Sequence, residues 1–344
     1  MRMGTITIKD IAEQCGVAVS TVSRAINNHP DINKDTRAKI MQTIKENNFV
    51  PNDTARNLKR TASQTIAVVA KAIDNPFFSK MIRVFEKEIN QRKYSYFLQH
   101  VDEKEDEVEV ALQLVRQRKV KGIIFLGGYF VNTKERLTDL KVPFVISTIS
   151  VPSLSPSCIY SYASVHDEQE SYRMTQYLLS LGHKKIAFLG ANIEDESIGK
   201  LRLQGYLRAM EEAGIMILDG WTRFMLEGYD AYSMRMGYEM MKKLLEENID
   251  VTAIYAISDV MAIGACKAIF KAGKSIPEDY SVAGFDGLDS GYFYEPSITT
   301  IEQPVEQIAK ESIKMLFKMI FNKKSVAHKL FDCELKKRDS VRAI

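Results

Sequence analysis

Five neighbouring residues near the N terminus carry side chains that can contact the edges of DNA bases. They are Val19, Ser20, Thr21, Ser23 and Arg24, within the string VSTVSR. An arginine can donate two hydrogen bonds to guanine O6 and N7, hydroxyl groups can bond to several bases, and a small apolar side chain can contact the thymine methyl group. These residues are therefore candidates for reading a base sequence, provided that one helix presents them on one face.

The spacing of apolar residues predicts three short helices that would present this face. Thr7 and Asp10 form a predicted capping box for the first helix, and Gly16 breaks that helix in a tight turn. A second helix is predicted from Val19 to about Asn27, and a third from about Lys34 to Asn47. The positions expected to face inward are Val22, Ala25 and Ile26 on the second helix and Ile40, Met41 and Ile44 on the third.

Two helices joined by a short glycine-containing turn and braced by a third are typical of a helix-turn-helix, whose second helix enters the major groove. A generic three-helix bundle shows the same periodicity. Residues 1–60 contain ten Lys and Arg against six Asp and Glu, whereas the remaining residues contain 37 against 38. This local surplus of positive charge favours a polyanionic partner for the N-terminal segment. An ordinary solvated surface would also account for a charge of this size.

The residue string itself is more specific than its periodicity. TIKDIAEQCGVAVSTVSRAINN, followed by FVPNDTARNL, closely resembles the N-terminal pattern of the lactose/galactose repressor (LacI/GalR) family. Cys15 and Ala18 stand where the family usually has Ala and Ser. The resemblance implies DNA contacts by Val19, Ser20, Thr21, Ser23 and Arg24, and also by Thr5, Asn27, Asn52, Ala55, Arg56 and Leu58. It further implies a hinge helix that folds on DNA, with Leu58 as an apolar wedge between base steps. The alternative for Leu58 is a leucine in an ordinary linker.

From residue 63 onward, short apolar runs alternate with amphipathic stretches, which predicts parallel sheets covered by helices on both faces. The predicted strands are Thr65–Ala70, Tyr94–Leu98, Gly122–Leu126, Phe144–Ile146, Lys185–Leu189, Arg223–Leu226, Ala253–Ile257 and Ser281–Phe285. The predicted fold is an all-α helix-turn-helix head followed by an α/β core of two doubly wound parallel-sheet lobes, which resembles periplasmic binding proteins. The expected divisions are a DNA-binding domain at 1–50, a hinge at 51–62 and a core at 63–344. Within the core, an N-lobe is expected at about 63–162 and 293–323, and a C-lobe at about 163–292 and 324–344.

Ligands of doubly wound lobes bind beyond the carboxyl ends of the strands, so the cleft between the two lobes is the expected ligand site. Arg202 and Asp286 match residues that clamp sugar hydroxyl groups in members of the family. An interlobe salt bridge is the alternative for Arg202, and a helix or turn cap is the alternative for Asp286. Ser258 replaces the asparagine that is usual in sugar-responsive members. The full set of expected ligand contacts is Asp74, Phe77, Arg202, Trp221, Tyr229, Ser258 and Asp286; Phe78, Tyr129 and Tyr292 are further aromatic candidates.

The sequence contains no pattern that favours catalysis or a bound metal. P-loop, G-x-S-x-G and H-E-x-x-H motifs are absent, and the five histidines and four cysteines are scattered without ligand spacing. We therefore expect no catalytic residues, no metal and no cofactor. No apolar run is long enough to span a membrane, and the N terminus lacks a secretory signal, so we expect a cytoplasmic protein without a membrane partner.

Together these features predict a sequence-specific transcription regulator, a repressor under the control of a small ligand such as a sugar. We expect it to bind a pseudo-palindromic operator as a homodimer, and not as a tetramer, because no leucine heptad precedes Ile344. A solute-binding receptor and an enzyme on a doubly wound scaffold are the rival classes. A nucleoside-type ligand or a protein co-repressor would be alternative effectors. The effector-contacting Arg and Thr of the purine repressor would fall on Glu196 and Ile198, which argues against a purine.

Overall fold

The computed structural model describes residues 6–26, 29, 31–47, 49, 64–71, 75–102, 105–128, 134–149, 160–191, 198–226, 229–230, 232–322 and 325–344. The chain divides into two compact units, Met1–Ala62 and Ser63–Ile344. Each unit has a hydrophobic core of its own.

Three helices form the described part of the first unit: α1 (Ile8–Cys15), α2 (Val19–Ile26) and α3 (Lys34–Glu46). The backbone N–H group of Thr7 donates to the Asp10 carboxylate over 2.6 Å, as the predicted capping box requires. Gly16 ends α1 in the left-handed region, with φ 68°, which a glycine adopts without steric cost. The prediction for Met41 was wrong, because its side chain is 43% exposed. It follows the fully buried Ile40 along α3 and therefore points about 100° away from the core.

The first sheet of the second unit is entirely parallel, with strand order β11-β5-β4-β3-β1-β2. Its strands are β1 (Thr65–Lys71), β2 (Ser95–Val101), β3 (Gly122–Leu126), β4 (Phe144–Ser147), β5 (Ser161–Val165) and β11 (His328–Phe331). The associated helices are α4 (Pro76–Gln91), α5 (Glu107–Arg118), α6 (Lys134–Thr138) and α12 (Val305–Phe321). The predicted strands of this lobe form, and the structure adds β5 and β11 to them.

The second sheet has the order β12-β10-β9-β8-β6-β7 and is parallel except for the β10–β12 pair. Its strands are β6 (Ile186–Leu189), β7 (Thr222–Arg223), β8 (Ala253–Ala256), β9 (Ser281–Asp286), β10 (Thr299–Glu302) and β12 (Glu334–Lys336). Its helices are α7 (Asp167–Ser180), α8 (Ile198–Glu212), α9 (Met234–Glu246), α10 (Asp259–Lys271) and α11 (Asp289–Tyr292). Two doubly wound lobes are therefore present.

The chain crosses between the lobes later than the expected boundaries of 162, 292 and 323. β5 belongs to the first sheet up to Val165, β10 pairs with β9 in the second sheet, and β11 pairs with β5 in the first. The described crossings therefore lie near His166, Gln303 and Asp332. These strands are only three to five residues long, so their sequences carry too little periodicity to indicate the sheet that they join.

Close packing of α7 on α8 positions one side of the cleft between the lobes. A Cβ atom on Gly205 would lie 2.1 Å from the backbone oxygen of Glu168, a distance that only glycine permits. This approach places Arg202, one turn earlier on α8, beside Asp167 at the start of α7.

Candidate functional site

One face of α2 in the first unit is exposed and carries the candidate base-reading residues. Val22 and Ala25 are fully buried against Ile11 and Ala12 of α1 and so fix the rotation of α2. The opposite face leaves Ser20 and Arg24 exposed and Val19 40% exposed, while Thr21 and Ser23 are half-buried. The predicted residues on α2 therefore share one accessible helix face. Thr5, Asn27, Asn52, Ala55, Arg56 and Leu58 lie outside the described residues, as does the predicted hinge.

In the second unit, five polar side chains from separate segments of the chain meet at the end of β9. We call them the Asp286 cluster: Asn75, Asp167, Arg202, Asp286 and Gln303. All are buried, with exposed fractions of 9% or less. Asp286 ends β9, Asp167 starts α7, and Gln303 follows β10 at a crossing between the lobes. The carboxyl end of a parallel strand is where ligands of doubly wound lobes bind.

The Arg202 guanidinium group is held by several partners at once. Its Nε donates to Asp167 Oδ1 over 2.9 Å, and its Nη1 donates to the backbone oxygen of Ile257 over 2.7 Å. Its Nη1 also lies 3.7 Å from Asp286 Oδ1. The guanidinium carbon lies 3.5 Å from the centre of the Phe285 ring, in a cation–π contact. Burial opposes ionisation, but Asp167 and Asp286 more than compensate, and the pKa of Arg202 is raised. Arg202 is therefore a fixed, permanently charged group.

The Asp286 carboxylate, unlike the Arg202 guanidinium group, is less stable in its charged form than in water. Gln303 Nε2 donates to its Oδ1 over 2.9 Å, and Asn75 Nδ2 lies 3.4 Å from its Oδ2. Burial raises the pKa of Asp286 to about 6, against the opposing effects of Arg202, Asn75 and Gln303. The fully buried Asp259 lies close by, with Oδ1 accepting from Thr300 and Oδ2 from the Leu288 N–H group. Burial and the charge of Asp286 raise the pKa of Asp259 to about 8. Near neutral pH Asp286 is therefore mainly an ionised acceptor, whereas Asp259 mainly keeps its proton.

A cleft of about 1200 Å³ opens beside this cluster. Its lining includes Asp286, Gln303, Phe77 and Tyr292 and does not include the buried Arg202. Ligand pockets typically occupy about 300–1,000 Å³ and combine apolar walls with a few directed polar groups. A molecule in this cleft would meet the Asp286 carboxylate before the guanidinium group. The cleft therefore suits a ligand that donates hydrogen bonds.

The remaining expected ligand contacts differ in their burial and in whether they line the cleft. Phe77 is buried on α4, lines the cleft and packs edge-on against Phe78 at 5.6 Å. Tyr229 is half-buried, and the Arg235 guanidinium carbon lies 5.3 Å from its ring centre. Tyr292 is 58% exposed. Asp74 and Tyr129 lie outside the described residues.

Trp221 and Ser258, two further members of the expected ligand set, are buried in the structure. Trp221 immediately precedes β7, and its backbone oxygen accepts from the N–H group of Phe188, one residue before the carboxyl end of β6. Its side chain is 4% exposed and belongs to the hydrophobic core. Ser258 is fully buried and caps α10, where its Oγ accepts from the Met261 N–H group over 3.4 Å. Arg202 and Asp286 are buried to the same degree, so burial does not separate these residues from the ligand site and both assignments stay predictions.

The sequence analysis did not identify Asn75, Asp167 or Gln303 as site residues. Asn75 follows Asp74, which was an expected ligand contact, whereas Asp167 and Gln303 adjoin the short strands β5 and β10, which were not predicted. A fourth residue, Tyr232, has a backbone φ of 56° and raises the pKa of Arg202, which places its hydroxyl group near the cluster. An aromatic side chain in the left-handed region is uncommon and indicates a constrained position.

The contacts of Arg202 and Asp286 bear on the alternative roles of these residues, an interlobe salt bridge and a cap. The Arg202–Asp167 pair lies between α7 and α8, both of the second lobe, so it is not an interlobe salt bridge. Asp286 makes no described helix-cap hydrogen bond, and its oxygens instead face Gln303, Asn75 and Arg202. Among the described residues, no group of His, Cys, Asp and Glu is arranged to hold a metal ion. No helix in the described ranges is long and apolar enough to cross a membrane.

Comparisons with known proteins bear on both units. Residues 7–52 match the family described as bacterial regulatory proteins, lacI family, and residues 175–341 match a periplasmic binding protein-like domain. The HTH-type transcriptional regulator MalR of Clostridium butyricum is 38% identical over 337 residues, which span 97% of this chain and 99% of that protein.

Two solved structures have the same fold over nearly the whole chain. The lac repressor dimer bound to operator and the anti-inducer ONPF superposes with a TM-score of 0.76 at 24% identity, covering 99% of this chain and 100% of that one. The complex of the transcriptional regulator CelR with cellobiose has a TM-score of 0.71 at 25% identity, covering 97% and 99%. The identity to MalR over almost the full length of both proteins shows that this chain belongs to the LacI family of bacterial transcriptional regulators.

Proposed function

We propose that this protein is a transcriptional repressor that binds operator DNA through α2 and responds to a sugar bound in the cleft beside Asp286. The observation that carries the proposal is that one chain combines an exposed base-reading helix with a buried, acceptor-rich cluster at a cleft. An enzyme or a solute receptor would need the cleft but not the exposed helix. Since DNA is its partner, we infer that the protein acts in the cytoplasm.

The DNA-binding part of the proposal rests on the accessible face of α2. Arg24 can donate two hydrogen bonds to one guanine, and Val19 can contact a thymine methyl group. One such helix reads only a few base pairs, so a homodimer on a pseudo-palindromic operator is the expected arrangement. The lac repressor relative of known structure is a dimer on its operator.

The ligand part rests on the chemistry of the Asp286 cluster. A carboxylate that accepts hydrogen bonds, together with the amides of Asn75 and Gln303, suits adjacent hydroxyl groups, and Phe77 supplies an apolar wall. At Asp286 itself a neutral ligand fits better than a phosphate, because the cluster holds the carboxylates of Asp167 and Asp286 against the single guanidinium group of Arg202. The wider lining of the cleft also contains basic side chains: Lys80, Arg83, Lys336, Lys337 and Arg338. The CelR relative holds cellobiose, an uncharged disaccharide, which supports a neutral sugar here.

Selection of DNA from a random pool, followed by fluorescence anisotropy with Arg24→Ala, tests the DNA-binding role. Loss of one bidentate contact should weaken binding by about 1–3 kcal/mol and relax the preference for one guanine in each half-site. Lys45→Ala is the matched control, because it removes one positive charge from an exposed position on α3. We expect this control to affect all sequences equally. If Arg24→Ala also weakens every sequence equally, Arg24 contacts phosphate and the base-reading assignment is wrong.

A further inference from the structure

A direct hydrogen bond between the two lobes is made by Asn75 and Asp286. Asn75 precedes α4 in the lobe of the first sheet, whereas Asp286 ends β9 of the second sheet. Asn75 Nδ2 lies 3.4 Å from Asp286 Oδ2, and both side chains are buried, with exposed fractions of 9% and 4%. The contact spans the cleft at the acceptor that the proposed ligand would use.

The Asn75 amide cannot be reversed without losing a second contact. Its Oδ1 accepts from the Phe77 N–H group over 3.0 Å and so caps α4 at its N terminus. Because the oxygen caps the helix, the nitrogen must face Asp286. Asparagine is among the favoured residues at this position, and serine and aspartate are equally good caps. The cap and the interlobe contact can therefore be separated by substitution.

Asp286 depends on groups from several elements for its stability as a buried carboxylate. Arg202 on α8 and Gln303 at the crossing face its Oδ1, and Asn75 faces its Oδ2. Asp167 on α7 and Asp259 on α10 add negative charge nearby, and the Tyr255 hydroxyl group of β8 also lies within electrostatic range. A buried charge that loses a donor is costly unless another donor replaces it. Separation of the lobes would remove the Asn75 donor and leave Oδ2 to water or to a ligand hydroxyl group.

We propose that Asn75 is an interlobe latch: its amide holds Asp286 when the cleft is empty and thereby sets the balance between open and closed lobes. Asn75 is a positioning residue, which acts through Asp286 and not by a contact with DNA. Its relevance to regulation rests on the proposed function, since lobe closure matters only if a ligand biases it. The latch itself is a property of the core and can be measured without DNA or ligand.

The test compares Asn75→Ser and Asn75→Asp in the full-length protein by small-angle X-ray scattering at pH 5 and pH 8. Both substitutions keep a capping oxygen for α4. Serine is too short to reach Asp286, so at pH 8 we expect a shift of about tenfold or more toward open lobes, the range for a hydrogen bond to a charged group. At pH 5 the shift should be smaller, because Asp286, with a pKa of about 6, is then mainly protonated. Aspartate would face Asp286 with a like charge at pH 8. We therefore expect a larger radius of gyration at pH 8 that returns toward the wild-type value at pH 5.

A reciprocal variant gives the readout that a merely structural role would not produce. In Asn75→Asp with Asp286→Asn, the donor and the acceptor exchange places, and the aspartate still caps α4. We expect this pair to restore the wild-type radius of gyration at both pH values. Wild-type scattering of both single variants at both pH values would overturn the proposal. Expansion that is independent of pH in Asn75→Asp and is not rescued by the reciprocal pair would also overturn it. Because no DNA is present, a failure here is distinct from a failure of operator binding.

Discussion

Arg202→Ala should destabilise the core far more than removal of a neighbouring surface arginine. Arg202 is 2% exposed and Asp167 is 1% exposed, and the substitution would leave that carboxylate buried without its main cationic partner. Breaking a buried ion pair from one side typically lowers the free energy of unfolding by about 3–5 kcal/mol, because the remaining charge is uncompensated. Loss of the stacking contact on Phe285 and of the bond to the Ile257 carbonyl adds to this effect.

Arg208→Ala is a matched control on the same helix. Arg208 pairs with Glu168, the residue next to Asp167, but both side chains are more than a third exposed. Surface ion pairs contribute about 0–1 kcal/mol. Urea unfolding followed by circular dichroism would give both free energies. If the two variants lose similar free energy, below about 1 kcal/mol, then Arg202 is not the electrostatic centre of the cluster. Because Arg202→Ala should destabilise the core this strongly, a loss of ligand binding in that variant would not show that Arg202 contacts the ligand. Asp286 is the better position for testing a ligand contact.

Two smaller effects follow from individual residues. Ala18 stands at the N-cap of α2 and offers no side-chain acceptor. Ala18→Ser should therefore raise the free energy of unfolding of the N-terminal unit by about 1 kcal/mol. Differential scanning calorimetry that shows no gain in stability would contradict this capping role. The raised pKa of Asp259, about 8, and that of Asp286, about 6, mean that the folded core holds protons that the unfolded chain releases near pH 4. Their contribution to stability is therefore full below about pH 4 and is lost as pH rises through about 6 and 8. The core should unfold at a lower urea concentration at pH 8.5 than at pH 6, and Asp259→Asn should reduce that difference; an unchanged difference in the variant would refute the assignment.

The fold was largely predictable because its longer elements carry clear periodicity. Ile11, Val22, Ala25 and Ile40 are fully buried at helical spacing, and apolar runs such as Gly122–Leu126 form central strands. The short strands β4 and β6, FVIS and IAFL, are mostly apolar and were predicted. β5, β10, β11 and β12 were not predicted because their sequences, SYASV, TTIE, HKLF and ELK, contain no continuous apolar run. The lobe boundaries shifted for the same reason.

The ligand site was predictable only in part, since its residues come from distant segments. Arg202 and Asp286 were recognised from their surrounding motifs, and the structure brings them within 3.7 Å of each other. Their partners Asp167, Asn75 and Gln303 depend on how α7, α4 and the second crossing pack, which no local pattern reports. The strand predicted at Arg223–Leu226 is confined to Thr222–Arg223, so the loop that follows it begins earlier than expected.

If this protein is a sugar-responsive repressor, a sugar in the cleft beside Asp286 changes the affinity of α2 for operator DNA. The most direct measurement is the operator affinity of the wild type and of Asp286→Asn, by fluorescence anisotropy across a panel of neutral sugars and their phosphates. We predict that at least one neutral sugar changes the wild-type affinity by about 5–150-fold, the range of typical allosteric coupling. In Asp286→Asn, operator binding without sugar should persist and the response should disappear. The account would be contradicted if the same sugar changed the affinity of Asp286→Asn as strongly as that of the wild type, or if no sugar in the panel altered wild-type binding.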